Sequence, residues 1–196
     1  VKKTGVKYHV CHISTKESVE LIRKAKAEGV DITCETAPHY LILTDEDLKE
    51  EGRFKMNPPL RSKLDRAALI EGIKDGTIDM IATDHAPHSY DEKSRGLEKS
   101  AFGIVGIENA FQLMYTHLVK TGVLTLEKVI ELMAINPRKR FDIPFDGSFS
   151  VWDLDEKFNL DVNEFLSMGK ATPFEGEELY GVNLMTVCGG KVVYKK

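Results

Sequence analysis

Strand-like and helix-like segments alternate along the first 140 residues, and few folds accommodate that order. Runs rich in β-branched and apolar residues at 6–13, 30–36, 54–57 and 78–83 are each followed by a segment of helical character. Strands separated by helices lie parallel in one sheet, joined by right-handed crossovers. The boundaries are written locally. Ser14 with Glu17, and Ser62 with Asp65, have capping-box spacing, while Gly29 and Gly76 stop the helices they follow. The first helix is expected to turn Val19, Ile22 and Ala25 inward, and the one after Ser62 to bury Leu64, Ala68 and Ile73. Thr44 with Asp47 opens a short helix to Glu51, and Pro58-Pro59 closes the strand at 54–57, since proline has no N–H for a ladder. The charged, glycine-bearing stretch 89–105 reads as a mobile loop, followed by helices at 106–120 and 126–135 and a Pro137 turn reaching Phe141.

From Pro144 the texture changes to short strands at 148–154, 182–188 and 191–194, the last two joined by the hairpin signal Gly189-Gly190. The expected class is α/β, with four parallel strand–helix units in residues 1–143 and a small β appendage in 144–196. A closed eight-unit barrel takes ~250 residues. With 196 residues opening at Val1 on what reads as a helix tail, the chain is expected to be a piece of something longer.

Composition excludes several classes of function. The net charge is −4 with Lys and Arg dispersed, so there is no basic stripe for nucleic acid. No apolar run approaches the ~20 residues of a membrane-spanning helix. Three cysteines, Cys11, Cys34 and Cys188, form no disulfide framework, and a reducing cytoplasm is the expected setting.

Polar residues fall where the strands end: His12 on the first, His39 just past the second, Asn57 on the third and Asp84 on the fourth. Parallel (β/α) arrangements open all strand carboxyl ends on one face, where sites are built. Neutral imidazole with carboxylate suits a zinc-type ion. Alternation places His12 with Tyr8 and Val10, and His9 with Cys11 on the opposite face. If His12 faces a barrel axis, His9 faces the helices. Taken singly, these residues have plainer readings: a strand-end histidine is commonly structural, and an Asp after a strand commonly caps a turn. His9 and His117 read as structural or surface residues and Cys34 as a small buried hydrophobe. A zinc knuckle from Cys11, His12, Cys34 and His39 is disfavoured by opposed faces and by the lack of close-spaced ligand pairs.

Four strings alter that weighting: Cys-His-Ile-Ser-Thr (11–15), Glu-Thr-Ala-Pro-His-Tyr (35–40), Lys-Met-Asn-Pro-Pro-Leu-Arg (55–61) and Ala-Thr-Asp-His-Ala-Pro-His (82–88). In this order they resemble the amidohydrolase superfamily and, within it, the dihydroorotases of the long bacterial type. The likeness runs from residue 1 to about 140 and is weaker over 141–196, although 171–176 also resembles the family's tail. It implies the second half of a metal-dependent (β/α)8 barrel, followed by the C-terminal part of a small β-sandwich appendage. His12 and His39 would be ligands of one Zn2+ in a two-zinc centre, and Asp84 would bind the other and shuttle a proton. Asn57 and His88 would hold the substrate, with backbone groups of Phe102 and Gly103 closing on its ring. The implied reaction is reversible conversion of N-carbamoyl-L-aspartate to L-dihydroorotate.

The family's first-strand histidine pair, the arginine after it and the bridging carboxylate or carboxylated lysine would all lie upstream of Val1. The segment alone is therefore expected to bind metal weakly and to be inactive. Three other readings compete. One is another cyclic amidase, such as a hydantoinase, dihydropyrimidinase or allantoinase. The second is a non-catalytic barrel that partners a transcarbamoylase, and the third an exposed half-barrel that self-associates through its unpaired edges.

Overall fold

The computed structural model describes residues 1–196. Packing divides them into two compact units, one of residues 1–108 with 162–173 and one of residues 109–161 with 174–196. The division does not follow a boundary at 143/144, because the helical segment 110–119 packs with the antiparallel sheet. Phe111 lies 4.6 Å from the Trp152 ring, and the Thr116 hydroxyl accepts a hydrogen bond from the Tyr180 amide.

In the first unit the elements run β1 (Tyr8–Val10), α1 (Lys16–Ala27), β2 (Ile32–Thr36), α2 (Pro38–Ile42), α3 (Lys63–Lys74), β3 (Met80–Ile81), α4 (Tyr90–Lys93) and α5 (Gly96–Lys99). The three strands form one parallel sheet in the order β1-β2-β3. Thr15 caps α1 by accepting the Ser18 amide, and Ser62 with Asp65 forms a complete capping box on α3. Buried Val19 and Ile22 from α1, and Leu69 and Ile73 from α3, join Cys34, Ile78 and Met80 in the core. Gly72 lets α3 pack closely on α1: an added Cβ would lie 3.0 Å from Val19 Cγ1. Ile73 is 0% exposed. Ile73→Ala is accordingly expected to cost about 2–5 kcal/mol, through lost burial and the cavity left behind, read as a shift in the urea unfolding midpoint.

Four local expectations need correction. Leu64 is 76% exposed: as the second residue after the Ser62 cap it falls on the solvent side, and the buried stripe begins at Leu69. The segment after Thr44 is a single 3-10 turn, Asp45–Asp47, with its own capping box. The third strand does not form. Residues 52–54 make a 3-10 turn and 55–57 are irregular, so the parallel sheet has three strands rather than four. Glu35 and Thr36 of β2 pair directly with Met80 and Ile81, and the Lys55 carbonyl accepts from the Gly103 amide and Lys93 Nζ instead of a ladder partner. Phe54 and Met56 still bury their side chains, which explains the apolar pattern. Finally, residues 89–105 carry α4 and α5, with Ser89 and Glu92 capping α4, and Lys93 Nζ bonds the Lys55 and Ala101 carbonyls.

The second unit runs α6 (Ala110–Met114), α7 (Leu126–Ile130), α8 (Asn136–Arg140), β4 (Phe149–Asn159), β5 (Glu178–Cys188) and β6 (Lys191–Lys195). π-helical turns at Tyr115–Val119 and Glu131–Ile135 extend α6 and α7. The helical segment expected from 106 starts only at Ala110, and the amides of Gly106 and Ile107 donate to His85 Nδ1. The strands form an antiparallel sheet in the order β4-β5-β6, with Gly189 and Gly190 at positive φ in the β5–β6 turn. Type I′ hairpin turns require that conformation at both central residues. Its core includes Leu113, Met114, Val129, Leu132 and Leu179.

Candidate functional site

The ends of β1, β2 and β3 are shaped by their own sequences. Backbone pairing of β1 stops at Val10, and His12 adopts φ 40, in the left-handed region that non-glycine residues seldom occupy. The chain is recaptured at once: the Ile13 amide donates to the Glu35 carbonyl, and the buried Thr36 hydroxyl donates to the Ile13 carbonyl at 2.8 Å. After β3, Asp84 has φ 48. His12 and Asp84 are two of only three non-glycine residues at positive φ, the other being Asp142. Strained backbone of this kind persists where surrounding structure over-determines it, and it concentrates at functional sites.

His39 lies in the first turn of α2, directly after β2, and is 1% exposed. Its Nε2 is buried with no hydrogen-bond partner, whereas buried polar atoms are otherwise almost always paired. The Tyr40 ring meets the imidazole edge-on at 4.1 Å between centroids, and the Tyr40 hydroxyl donates to the Pro58 carbonyl at 2.6 Å. Burial, with the His12 imidazole as a second cause, holds the His39 ring down at about 3, so it is neutral around pH 7. That is the form with a lone pair to offer a cation.

Asp84 is half-buried, and burial pushes its carboxyl above the ordinary range; His12 draws it down and Glu35 pushes it further up. Burial also raises the Tyr40 phenol, with Asp84 adding to the effect and Arg61 opposing it. His12 thus lies within electrostatic reach of both His39 and Asp84, with Tyr40 against His39.

A second group forms around the segment after Asp84. His88 Nε2 lies 2.9 Å from the Phe102 carbonyl, and Gly103 has φ 133. A Cβ on Gly103 would sit 2.6 Å from Ala86 and 3.2 Å from His88 Cδ2, so only glycine fits this close approach. Phe102 is exposed, and its ring lies 4.5 Å from Lys55 Nζ. Asn57 is exposed beside Pro58, the residue that anchors Tyr40. The expected residues therefore fall into two sets, His12–His39–Asp84 and His88–Phe102–Gly103, with Tyr40 linking the first to the Asn57-Pro58 turn.

The facing deduced from alternation is reversed. His9 bonds Thr33 and Glu35 across the ladder, and Cys11 feels Glu35 and Asp84, so His9 and Cys11 lie on the Asp84 side. Val10 pairs in register with fully buried Cys34 on the other face. The turn at His12 breaks the period of two, and parity cannot be carried through it. Sequence reasoning also missed His85, whose Nδ1 accepts the Gly106 and Ile107 amides and whose Nε2 lies 3.5 Å from the Ser167 hydroxyl. Ser167 in turn bonds Glu108, tying the residue next to Asp84 into residues 162–173. Nothing in the linear pattern signals that pairing. The polar alternation of Thr33 and Glu35 in β2 does signal a polar face.

The family model described as "Amidohydrolase family" matches residues 2–193. The chain is 51% identical to a dihydroorotase of Brevibacillus brevis, aligned over 99% of this chain and 48% of that protein. It is 52% identical to a dihydroorotase of Fusobacterium nucleatum, over 95% of this chain and 46% of the relative. Among solved structures, an L-hydantoinase (dihydropyrimidinase) from Arthrobacter aurescens superposes with a TM-score of 0.90 at 32% identity, covering 100% of this chain and 46% of that one. The chain spans about half the length of the curated relatives it matches.

Proposed function

Because the chain belongs to the amidohydrolase family, we propose that it forms the C-terminal half of a dihydroorotase, interconverting N-carbamoyl-L-aspartate and L-dihydroorotate. In this reading the parallel sheet β1-β2-β3 with its helices completes one side of a (β/α)8 barrel, and the antiparallel sheet β4-β5-β6 belongs to a β appendage. The observation that carries it is the buried, unpartnered His39 Nε2 beside His12 and Asp84 at strand ends. A neutral imidazole with no protein partner fits a metal ligand, and the donor set of two imidazoles and a carboxylate fits Zn2+. His12 and His39 would hold one ion and Asp84 a second. Bound there, zinc would supply Lewis acidity, polarising the amide carbonyl and acidifying water.

The chain's own residues do the rest. Asp84, its carboxyl lifted by burial, accepts the proton of the attacking water and returns it to the ring nitrogen as the amide opens; in ring closure it runs the reverse sequence. His88 and Asn57 donate hydrogen bonds to the substrate carboxylate. Gly103 lets the Phe102 backbone approach the ring, and Tyr40 covers His39 and limits access of water. Retention of His12, His39 and Asp84 favours a catalytic barrel over a non-catalytic companion of a transcarbamoylase.

The likeness to an L-hydantoinase supports a second cyclic amide class, but the higher identity to dihydroorotases favours carbamoyl aspartate. Assay of the longer protein containing this chain on carbamoyl aspartate, hydantoin and allantoin distinguishes the two. Turnover of carbamoyl aspartate is expected, and turnover of only the other two would contradict the assignment.

A further inference from the structure

The polar face of β1 and β2 carries a second donor set, separate from His12, His39 and Asp84. His9, Cys11 and Glu35 each present one ligand atom, and these atoms all lie within 4.8 Å of one another. The ladder explains the convergence. His9 and Thr33 are register partners, Glu35 follows two residues along β2, and Cys11 follows two residues after His9. His9 Nδ1 lies 2.8 Å from Thr33 Oγ1, and Nε2 lies 3.0 Å from Glu35 Oε2.

We propose that His9, Cys11 and Glu35 bind a zinc-type divalent cation through Nε2, Sγ and a carboxylate oxygen, with water in the fourth position. Zinc bonds of ~2.0–2.3 Å place tetrahedral ligand atoms roughly 3.4 Å apart. The set must therefore close by roughly 1.4 Å at most, within the range of side-chain rotation, and Cys11 is exposed and able to turn. Thr33 already orients the ring. An Nδ1–H donated to its hydroxyl leaves the Nε2 lone pair for the ion, the outer-shell hydrogen bond that histidine ligands typically make.

A cation at this place would take up the Cys11 thiolate, releasing the thiol proton to water. Sulfur and imidazole together select zinc, cobalt or cadmium over magnesium and calcium. All three donors lie on two paired strands within residues 9–35, so the site is complete in this chain and independent of the proposed hydrolase activity.

The test is titration of the metal-free 196-residue chain with Co2+, followed by thiolate-to-cobalt charge-transfer absorption in the near ultraviolet. A saturable band is expected, bleached by Zn2+ and unaffected by Mg2+. Cys11→Ser should abolish it, and His9→Gln and Glu35→Gln should each weaken cobalt binding by at least ~10-fold. Cys188→Ser and His39→Gln should leave it intact. Far-ultraviolet circular dichroism verifies that each variant folds, and Glu35→Gln carries the test if His9→Gln does not. The proposal is overturned by the absence of a band in the folded chain, by a band that survives Cys11→Ser, or by one lost equally in His39→Gln. The last outcome would assign cobalt to a centre that Cys11 shares with the strand-end set, so failure here is distinguishable from failure of the hydrolase reading.

Discussion

His39→Gln is expected to lower kcat/KM of the longer protein by ~10³-fold or more, which is about 4 kcal/mol of transition-state stabilisation. The size follows from the position. The ring is fully buried at a strand end, and its Nε2 has no other partner. In the proposed reading, removing it takes away a metal-ligand atom and not a redundant hydrogen bond. The same residue gives a prediction in the metal-free chain. Its folded-state value of about 3 lies below the ordinary 6.5. As pH falls through this window the unfolded chain takes up a proton that the buried ring refuses, so stability present above about pH 6.5 is progressively lost toward pH 3. Urea midpoints measured across that range should fall more steeply for the native chain than for His39→Gln. Equal slopes would mean that the ring is not buried in solution.

Asp84→Asn is expected to reduce kcat by ~10²–10⁴-fold, the usual contribution of a positioned acid–base group. An amide keeps the size of the carboxylate but cannot take a proton from water and return it to nitrogen. Stability should move the opposite way. Burial lifts the Asp84 carboxyl, so the folded chain holds its proton more tightly than the unfolded chain. Stability therefore falls as pH rises from the ordinary carboxylate range through the raised value, and a neutral side chain escapes that loss. Near neutral pH the metal-free Asp84→Asn chain should unfold at an equal or higher urea concentration than the native chain. Lost activity with unimpaired stability marks a residue kept for chemistry; a matching loss of both would make Asp84 structural.

Much of the fold was legible because its signals are local. Ser62 with Asp65, Gly189-Gly190 and the strand–helix alternation all depend on neighbours in sequence, whereas the cap expected at Ser14 with Glu17 falls one residue later, on Thr15. Where reading failed, the deciding partner was distant. Phe54 to Asn57 has the pattern of a strand, yet β2 pairs directly with β3 and the Lys55 carbonyl is taken by Gly103 and Lys93. His12, His39 and Asp84 were identifiable as strand-end polar residues, and His12 lies within electrostatic reach of each of the other two. The facing of His9 was not, since the left-handed turn at His12 cancels the alternation on which parity depends. His85 pairs with Ser167, 82 residues away, across a separation no short-range pattern spans.

The most direct test of the central claim is a zinc titration of the Cys11→Ser chain, observed through the imidazole resonances of His12 and His39. A common centre predicts that both rings shift along a single weak isotherm, and that Asp84→Asn weakens it. Zinc that binds without moving His39, or that moves the two rings along separate isotherms, would contradict it.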